Sequence, residues 1–268
     1  MKRDTAMEQG LLRFLNDVYI YRVYGRMPLK KIGAFAEYAA VDQNAIAKVP
    51  AYLSDEEAAS VPLAALTALQ AFELMNVKPR KTVFISGGTG SLGAMAIPIA
   101  KSMGLNVITN GSTENKERVV RLGADRFIDY KSEDYSKALS DVDYVLDTLG
   151  VHELKKEFSI LKSGGSLVSL RGLPNGEFAA RMGVTTVKRF LFSLAGSKYD
   201  RMAAKNKQKY YFVFVREDGA GLKRISEIFG SRKIETSVDK IYELSEVNQA
   251  LAKVANGGSK GKTILKIS

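Results

Sequence analysis

The sequence predicts an α/β fold in which a doubly wound parallel sheet fills the middle of the chain and β-rich pieces sit at both ends. Three observations predict it. Six short runs rich in β-branched and aromatic residues recur between residues 82 and 215, with helical patterns between them. A glycine-rich turn stands at the first junction from strand to helix. Outside that interval the rhythm changes to shorter runs, one of them alternating apolar and polar residues.

TVFIS (82–86) is β-branched and aromatic and reads as a buried strand. LNVITN (105–110) follows a helical stretch that ends at Gly104, and RFIDY (126–130) follows a helix over 114–122 that Gly123 closes. DYVLDT (143–148), SLVSL (166–170) and YYFVFV (210–215) complete the series. Strands alternating with helices of about 10–15 residues build parallel βαβ units with right-handed crossovers. On the flanks, GAFAEYAAV (33–41) alternates as an antiparallel strand does. IYEL (241–244) precedes a helix over 245–255, and KTILKIS (262–268) reads as a last short strand. No internal repeat or low-complexity linker is visible.

The 268 residues, 46% hydrophobic and 26% charged, suit one large domain or two ordinary ones with a core that needs no staple. The absence of cysteine excludes disulfides, thiolate zinc ligands, iron–sulfur clusters and a cysteine nucleophile. The single histidine, His152, leaves histidine catalysis and multi-histidine metal sites without material, and it reads as a surface helix residue. The opening stretch (1–25) breaks its short apolar pieces with Arg13, Asn16 and Asp17, unlike a signal peptide, and no run of about 18 apolar residues offers a membrane span. A cytoplasmic protein is the expectation. The net charge is +11, and eight of the forty Lys and Arg lie over 181–209, mixed with Phe190, Leu191, Phe192 and Leu194. That stretch reads as a helix with a solvated basic face; a lipid or RNA patch is the rival reading, although no nucleic-acid docking motif is present.

GGTGSLG (87–93) directly follows TVFIS and opens the next helix, with Gly88, Gly90 and Gly93 in G-x-G-x-x-G spacing. In that context Gly88 makes the tight turn, Gly90 lets backbone approach a pyrophosphate, and Gly93 lets helix pack on strand. The N–H groups at the helix start, around Ser91 and Leu92, then meet the phosphate charge. These are the parts of a Rossmann dinucleotide site. Pro98 lies inside the following helix, removes the hydrogen bond to the Ala94 carbonyl, and predicts a kink.

The second strand chooses between the two nicotinamide cofactors. An NAD site places Asp or Glu at its end to bind the ribose 2′-hydroxyl. Here the strand runs out through Gly111 and Ser112 with no acid. Ser112 is placed to bond a 2′-phosphate, Lys116 to neutralise it, and Tyr130 to flank the adenine or the phosphate; Lys116 also suits a plain solvated position. The expected cofactor is NADPH.

At these residues the chain resembles the medium-chain dehydrogenase/reductase superfamily, and within it the zinc-independent quinone oxidoreductase and enone reductase branch. The similar pieces are GAFAEYAAV, VPLAALTALQAF (61–72), the strand and glycine loop, RLGADRFIDY, VLDTLG (145–150), FVFVREDG (212–219) and GKTILKI (261–267), in family order. The resemblance implies a Rossmann domain over 62–232. It also implies a GroES-like catalytic domain made by 1–61 and by a return over 233–268, with its N-terminal part truncated. It implies that Thr67 lines the nicotinamide, that Leu149 and Gly150 lie near its ribose, and that Leu170, Arg171 and Gly172 hold the carboxamide. Phe214 and Val215 would lie over the cleft, Phe214 serving equally well as an ordinary core residue. Lys262 would touch the pyrophosphate. A homodimer paired through the Rossmann sheet edge is the implied assembly.

The implied chemistry is hydride transfer from NADPH to a quinone or an α,β-unsaturated carbonyl. The cofactor supplies the reactivity and the protein the orientation. With no metal expected, a hydroxyl or a backbone N–H must polarise the carbonyl; no proton donor stands out, and no Tyr-x-x-x-Lys spacing points to short-chain reductases. The alternative is an NADPH-binding sensor or interaction module without turnover.

Overall fold

A computed structural model describes residues 21–28, 34–257 and 261–267. Two short antiparallel strands come first, β1 (Val23–Gly25) and β2 (Ile46–Lys48). The helices α1 (Asp55–Ala59) and α2 (Pro62–Leu74) follow. Ser54 and Glu57 close a capping box on α1, and Pro62 starts α2 where its missing N–H costs nothing.

The central series then runs β3 (Thr82–Ile85), α3 (Ser91–Ser102), β4 (Asn106–Gly111), α4 (Lys116–Arg121) and β5 (Arg126–Asp129). It continues through α5 (Tyr135–Ala138), β6 (Val142–Asp147), α6 (Leu154–Ile160) and β7 (Leu161–Ser169). After α7 (Gly176–Arg181) and α8 (Thr186–Lys205) comes β8 (Lys209–Phe212). The chain closes with α9 (Gly219–Arg232), β9 (Val238–Glu243), α10 (Val247–Asn256) and β10 (Lys262–Lys266).

Strands β3 to β8 form one six-stranded parallel sheet in the order β5-β4-β3-β6-β7-β8. Chain direction across the sheet reverses between β3 and β6, the switch point where ligands bind beyond the carboxyl ends. The sheet is apolar on both faces. Leu66, Phe72, Ile97 and Phe229 pack one side, and Phe84, Tyr135, Leu154 and Tyr210 pack the other. At the β8 edge two outward carbonyls are already bonded: Asn175 Nδ2 donates to Tyr210 O (3.4 Å) and Arg181 Nη2 to Phe212 O (2.7 Å).

The terminal pieces lean on this core. Buried Tyr24 donates from its hydroxyl to Leu222 O on α9 (3.2 Å), and Tyr52 donates to Ile234 O (2.8 Å). β9 and β10 make a separate parallel pair.

Several expectations need correction. The described part of the expected strand over 33–41 is a run of bends and irregular backbone with Phe35 and Tyr38 exposed; Gly33 lies outside the described residues. Alternation alone does not make a strand without a partner to complete its ladder. His152 sits in an exposed turn, one residue pair before α6 begins at Leu154. The last sheet strand stops at Phe212 because the paired run of β7 ends at Ser169; Val213 N makes a last bond to Ser169 O (3.1 Å), and residues 213–217 run on as irregular backbone. The helix expected over 114–122 opens as a 3₁₀ turn over Thr113–Asn115. α3 runs on through Pro98. The opening stretch 1–20 and Ser268 lie outside the described residues.

Candidate functional site

The loop after β3 and the start of α3 line a cavity of about 1010 Å³. Its shape follows from glycine. A side chain at Gly88 would collide with the Thr109 hydroxyl, and one at Gly111 with Thr89; at Gly93 it would strike the Gly88 backbone. Gly90 differs: a Cβ there meets only Gly87 O, at 3.3 Å, so this residue faces the cavity. The turn closes from Gly90 N to Gly87 O (3.0 Å) with Gly88 and Thr89 between them, and Gly87 takes the positive φ, +71°, that favours glycine. Gly88 is needed because β4 presses on it. No side chain caps α3, so the amides of Ser91, Leu92 and Gly93 in its first turn point at an uncapped helix end that lines the cavity.

Neighbouring strands fix the loop. Asn110 Oδ1 accepts from Gly87 N (2.7 Å), Gly88 N donates to Asn110 O (3.1 Å), and the Thr148 hydroxyl donates to Ser86 O (2.7 Å). One buried carboxylate ties down two further loops. Asp147 Oδ1 accepts from Leu149 N (2.8 Å) and Gly150 N (2.7 Å), and its Oδ2 from the Ser169 hydroxyl (2.5 Å). The Ser169 oxygen in turn accepts from Gly172 N (2.7 Å) and Arg171 N (3.3 Å). Leu170 N completes the link by donating to Asp147 O (3.2 Å). Asp147 thus sets the relative position of Leu149–Gly150 and of residues 170–172. The sequence carries a signal for it, an acid at the carboxyl end of a parallel strand in VLDTLG.

At the other end of the cavity lie Gly111, Tyr130, Lys131, Tyr135, Glu153 and Lys156. Tyr130 is exposed and Lys131 reaches across to Glu114 (3.1 Å). Ser112 and Lys116 are not lining residues: Ser112 Oγ accepts from Asn115 Nδ2 (3.2 Å), and Lys116 is exposed at the start of α4. Hydrogen bonding from Ser112 first, then Lys131, holds the Glu114 carboxyl down at about 2. An acid therefore does stand beside Ser112, in the 3₁₀ turn just past the strand end, already paired with a lysine. Glu114 follows Ser112 by two residues, beyond the strand end at which an NAD site carries its acid.

The remaining expected residues scatter. Leu149 lines the cavity and Gly150 is buried behind it with φ +97°. Thr67 is buried in α2 with its hydroxyl donating to Leu63 O (2.6 Å), away from the cavity lining. Phe214 and Val215 line a second cavity of about 590 Å³, with Arg26, Gln70, Arg181 and Met182. Lys262 opens β10, where burial holds its amine below the usual lysine range; it lines neither cavity.

Beneath the loops Glu157 is fully buried, and neither carboxyl oxygen has a hydrogen-bond partner in good geometry. Burial first, then the nearby Asp147 carboxylate, pushes it well above the usual carboxylate range, which favours the protonated form.

The arrangement fits a dinucleotide: an uncapped helix end for the pyrophosphate, a glycine that clears its approach, and polar residues at the nucleoside end. Comparison with known proteins agrees. The family profile described as zinc-binding dehydrogenase matches residues 122–265. The NAD(P)H oxidoreductase RTN4IP1, mitochondrial, of Danio rerio is 31% identical over 262 residues, 92% of this chain and 66% of that protein. This chain thus spans just under two thirds of that relative's length. The 2-methylene-furan-3-one reductase of Solanum lycopersicum is 37% identical over 145 residues, 53% of this chain and 37% of that protein. The structure of the quinone oxidoreductase from Coxiella burnetii superposes with a TM-score of 0.75 at 27% identity, over 94% of this chain and 74% of that one. The chain has no cysteine, and the described residues hold no group of three or more His, Cys, Asp or Glu able to bind a metal. With its family profile covering more than half of the 268 residues, the chain belongs to the medium-chain dehydrogenase/reductase superfamily, in the zinc-binding dehydrogenase family.

Proposed function

We propose that the chain is an NADPH-dependent, zinc-independent oxidoreductase that reduces a quinone or an α,β-unsaturated carbonyl. The observation that carries this reading is the glycine cradle at the sheet's switch point, with Gly90 open to the cavity and α3 uncapped behind it. When bound, the nicotinamide supplies the hydride. The chain's residues bind and orient. Amides at Ser91 to Gly93 meet the pyrophosphate, and the Asp147 bonds hold the two loops that would flank the nicotinamide. The relatives named as an enone reductase and a quinone oxidoreductase support the substrate class.

For the 2′-phosphate we assign Ser112 and Lys116, joined by Lys131, which turns from Glu114 to the phosphate on binding. Pairing of two copies through the β8 edge would require Asn175 and Arg181 to release the carbonyls they now cover. The test is NADPH oxidation followed at steady state with a panel of simple quinones and enones. Turnover with either class supports the reading. Tight cofactor binding with no oxidation across the panel would replace it with a binding module.

A further inference from the structure

Helix α8 carries an exposed stripe unlike any other in the described residues. Val187, Phe190, Leu191 and Leu194 are 71%, 63%, 58% and 57% exposed. Their spacing of i, i+3, i+4 and i+7 puts them on one face of the first half of the helix. The same face continues at i+11, i+14 and i+18 with Lys198, Arg201 and Lys205, all exposed. Gly196, Tyr199 and Ala203 are buried on the opposite face, where Tyr199 packs on Tyr210 (ring centroids 5.2 Å) and Phe192 on Phe178 (5.9 Å). The helix is therefore docked on the sheet by its small and aromatic side while the stripe faces outward.

The charge around the stripe is one-sided. Across residues 181–209 eight Lys and Arg stand against a single acid, Asp200, whose carboxylate is taken by Asn175 Nδ2 (2.7 Å). A second copy of the chain is a poor match for this face. Parallel pairing would set the cations against one another, and antiparallel pairing would bury each cationic half on an apolar half without a counter-charge. An anionic lipid surface satisfies both halves, taking the four apolar side chains among its acyl chains and the cations among its headgroups.

We propose that the α8 stripe is a docking site for an anionic phospholipid bilayer, binding the chain to the membrane surface without spanning it. No helix among the described residues is long and apolar enough to cross. Asn175 ties α8 to the sheet edge, its Nδ2 donating to Asp200 Oδ1 on α8 (2.7 Å) and to Tyr210 O on β8 (3.4 Å).

The test is sedimentation of the full chain with vesicles of phosphatidylcholine, alone or with about 30% phosphatidylserine. Wild type should bind the anionic vesicles at least about 10-fold more strongly than the neutral ones, and more weakly as salt rises. The double variant F190S/L191S leaves the net charge unchanged, and it should weaken anionic-vesicle binding by about 10-fold or more. K198E/R201E should weaken it likewise. Thermal melts matching wild type check that both variants fold. Equal binding by F190S/L191S and wild type would reduce the effect to diffuse attraction by a basic protein and overturn the proposal. So would absence of wild-type binding, or a wild-type dimer that F190S/L191S dissociates, which would assign the stripe to a second copy.

Discussion

The six-stranded sheet and the terminal ribbons are built from similar β-forming residues, yet only one of them holds together by itself. In the sheet, the loops after β3, β6 and β7 are tied down by hydrogen bonds that Asn110, Asp147 and Ser169 accept and the Thr148 hydroxyl donates. The terminal pieces form two separate two-stranded pairs, and two-stranded pairs are marginal in water without packing. The first of them is held from outside: Tyr24 in β1 donates to Leu222 O on α9, and Tyr52, just past β2, donates to Ile234 O. The lesson is one of division of labour. The cofactor end is specified within a single continuous stretch of chain, whereas the β-rich end takes its order from contacts with that stretch.

The contrast can be broken most sharply at Gly90. Because a Cβ there meets only Gly87 O, at 3.3 Å, Gly90→Asp should fold with a slight shift of that carbonyl and strengthen the N-cap of α3 by about a few tenths of a kcal/mol. The same carboxylate would sit where phosphate belongs and should weaken NADPH binding by about 100-fold or more, read by calorimetry against a thermal melt. A variant that binds normally would mean that the cradle is not the phosphate site. Next comes Asp147→Asn. An amide in place of the carboxylate cannot keep all three acceptor contacts, so chemical denaturation should show a loss of about 2–3 kcal/mol. Cofactor binding should weaken with it. If stability is unchanged, the loops are not held through this residue.

A smaller effect is expected at the nucleoside end. Ser112→Asp with Lys116→Ala should move the NADPH-to-NADH preference by about 10-fold towards NADH, measured as a ratio of Kd values. If the ratio holds still and Lys131→Ala moves it instead, the discriminating cation is Lys131. The least dramatic test is Glu157→Gln. The neutral acid is favoured in the folded chain and ionises on unfolding, so its contribution is fully present below the ordinary carboxylate range and falls away as pH rises. Glu157→Gln should therefore raise Tm, with a gain that grows as pH rises above the ordinary carboxylate range. A constant or negative shift across that range would show that the carboxyl is not held neutral.

The parallel sheet was legible because most of its strands are short apolar runs with glycine close by, and buried strands need no alternation to be seen. Residues 34–41 misled for the opposite reason. Their alternation is a property of the segment, while a strand is a property of a pair, and among the described residues they have no partner. The glycine loop was legible in outline, but the roles of Gly87 and Gly88 depend on a positive φ and on where Thr109 lies, which spacing does not encode. Glu114 and Lys131 meet only after β4 and β5 align side by side. Asp147 was visible as a letter but not as a hub, since the partner that joins its loop to the next, Ser169, lies in a strand twenty-two positions later.

The central claim is that the amides at the start of α3 hold the diphosphate of a nicotinamide dinucleotide. Isothermal titration of the folded chain with NADPH tests it most directly. Saturable binding to a single site is the predicted result; folded protein that saturates with neither NADPH nor NADH would contradict it.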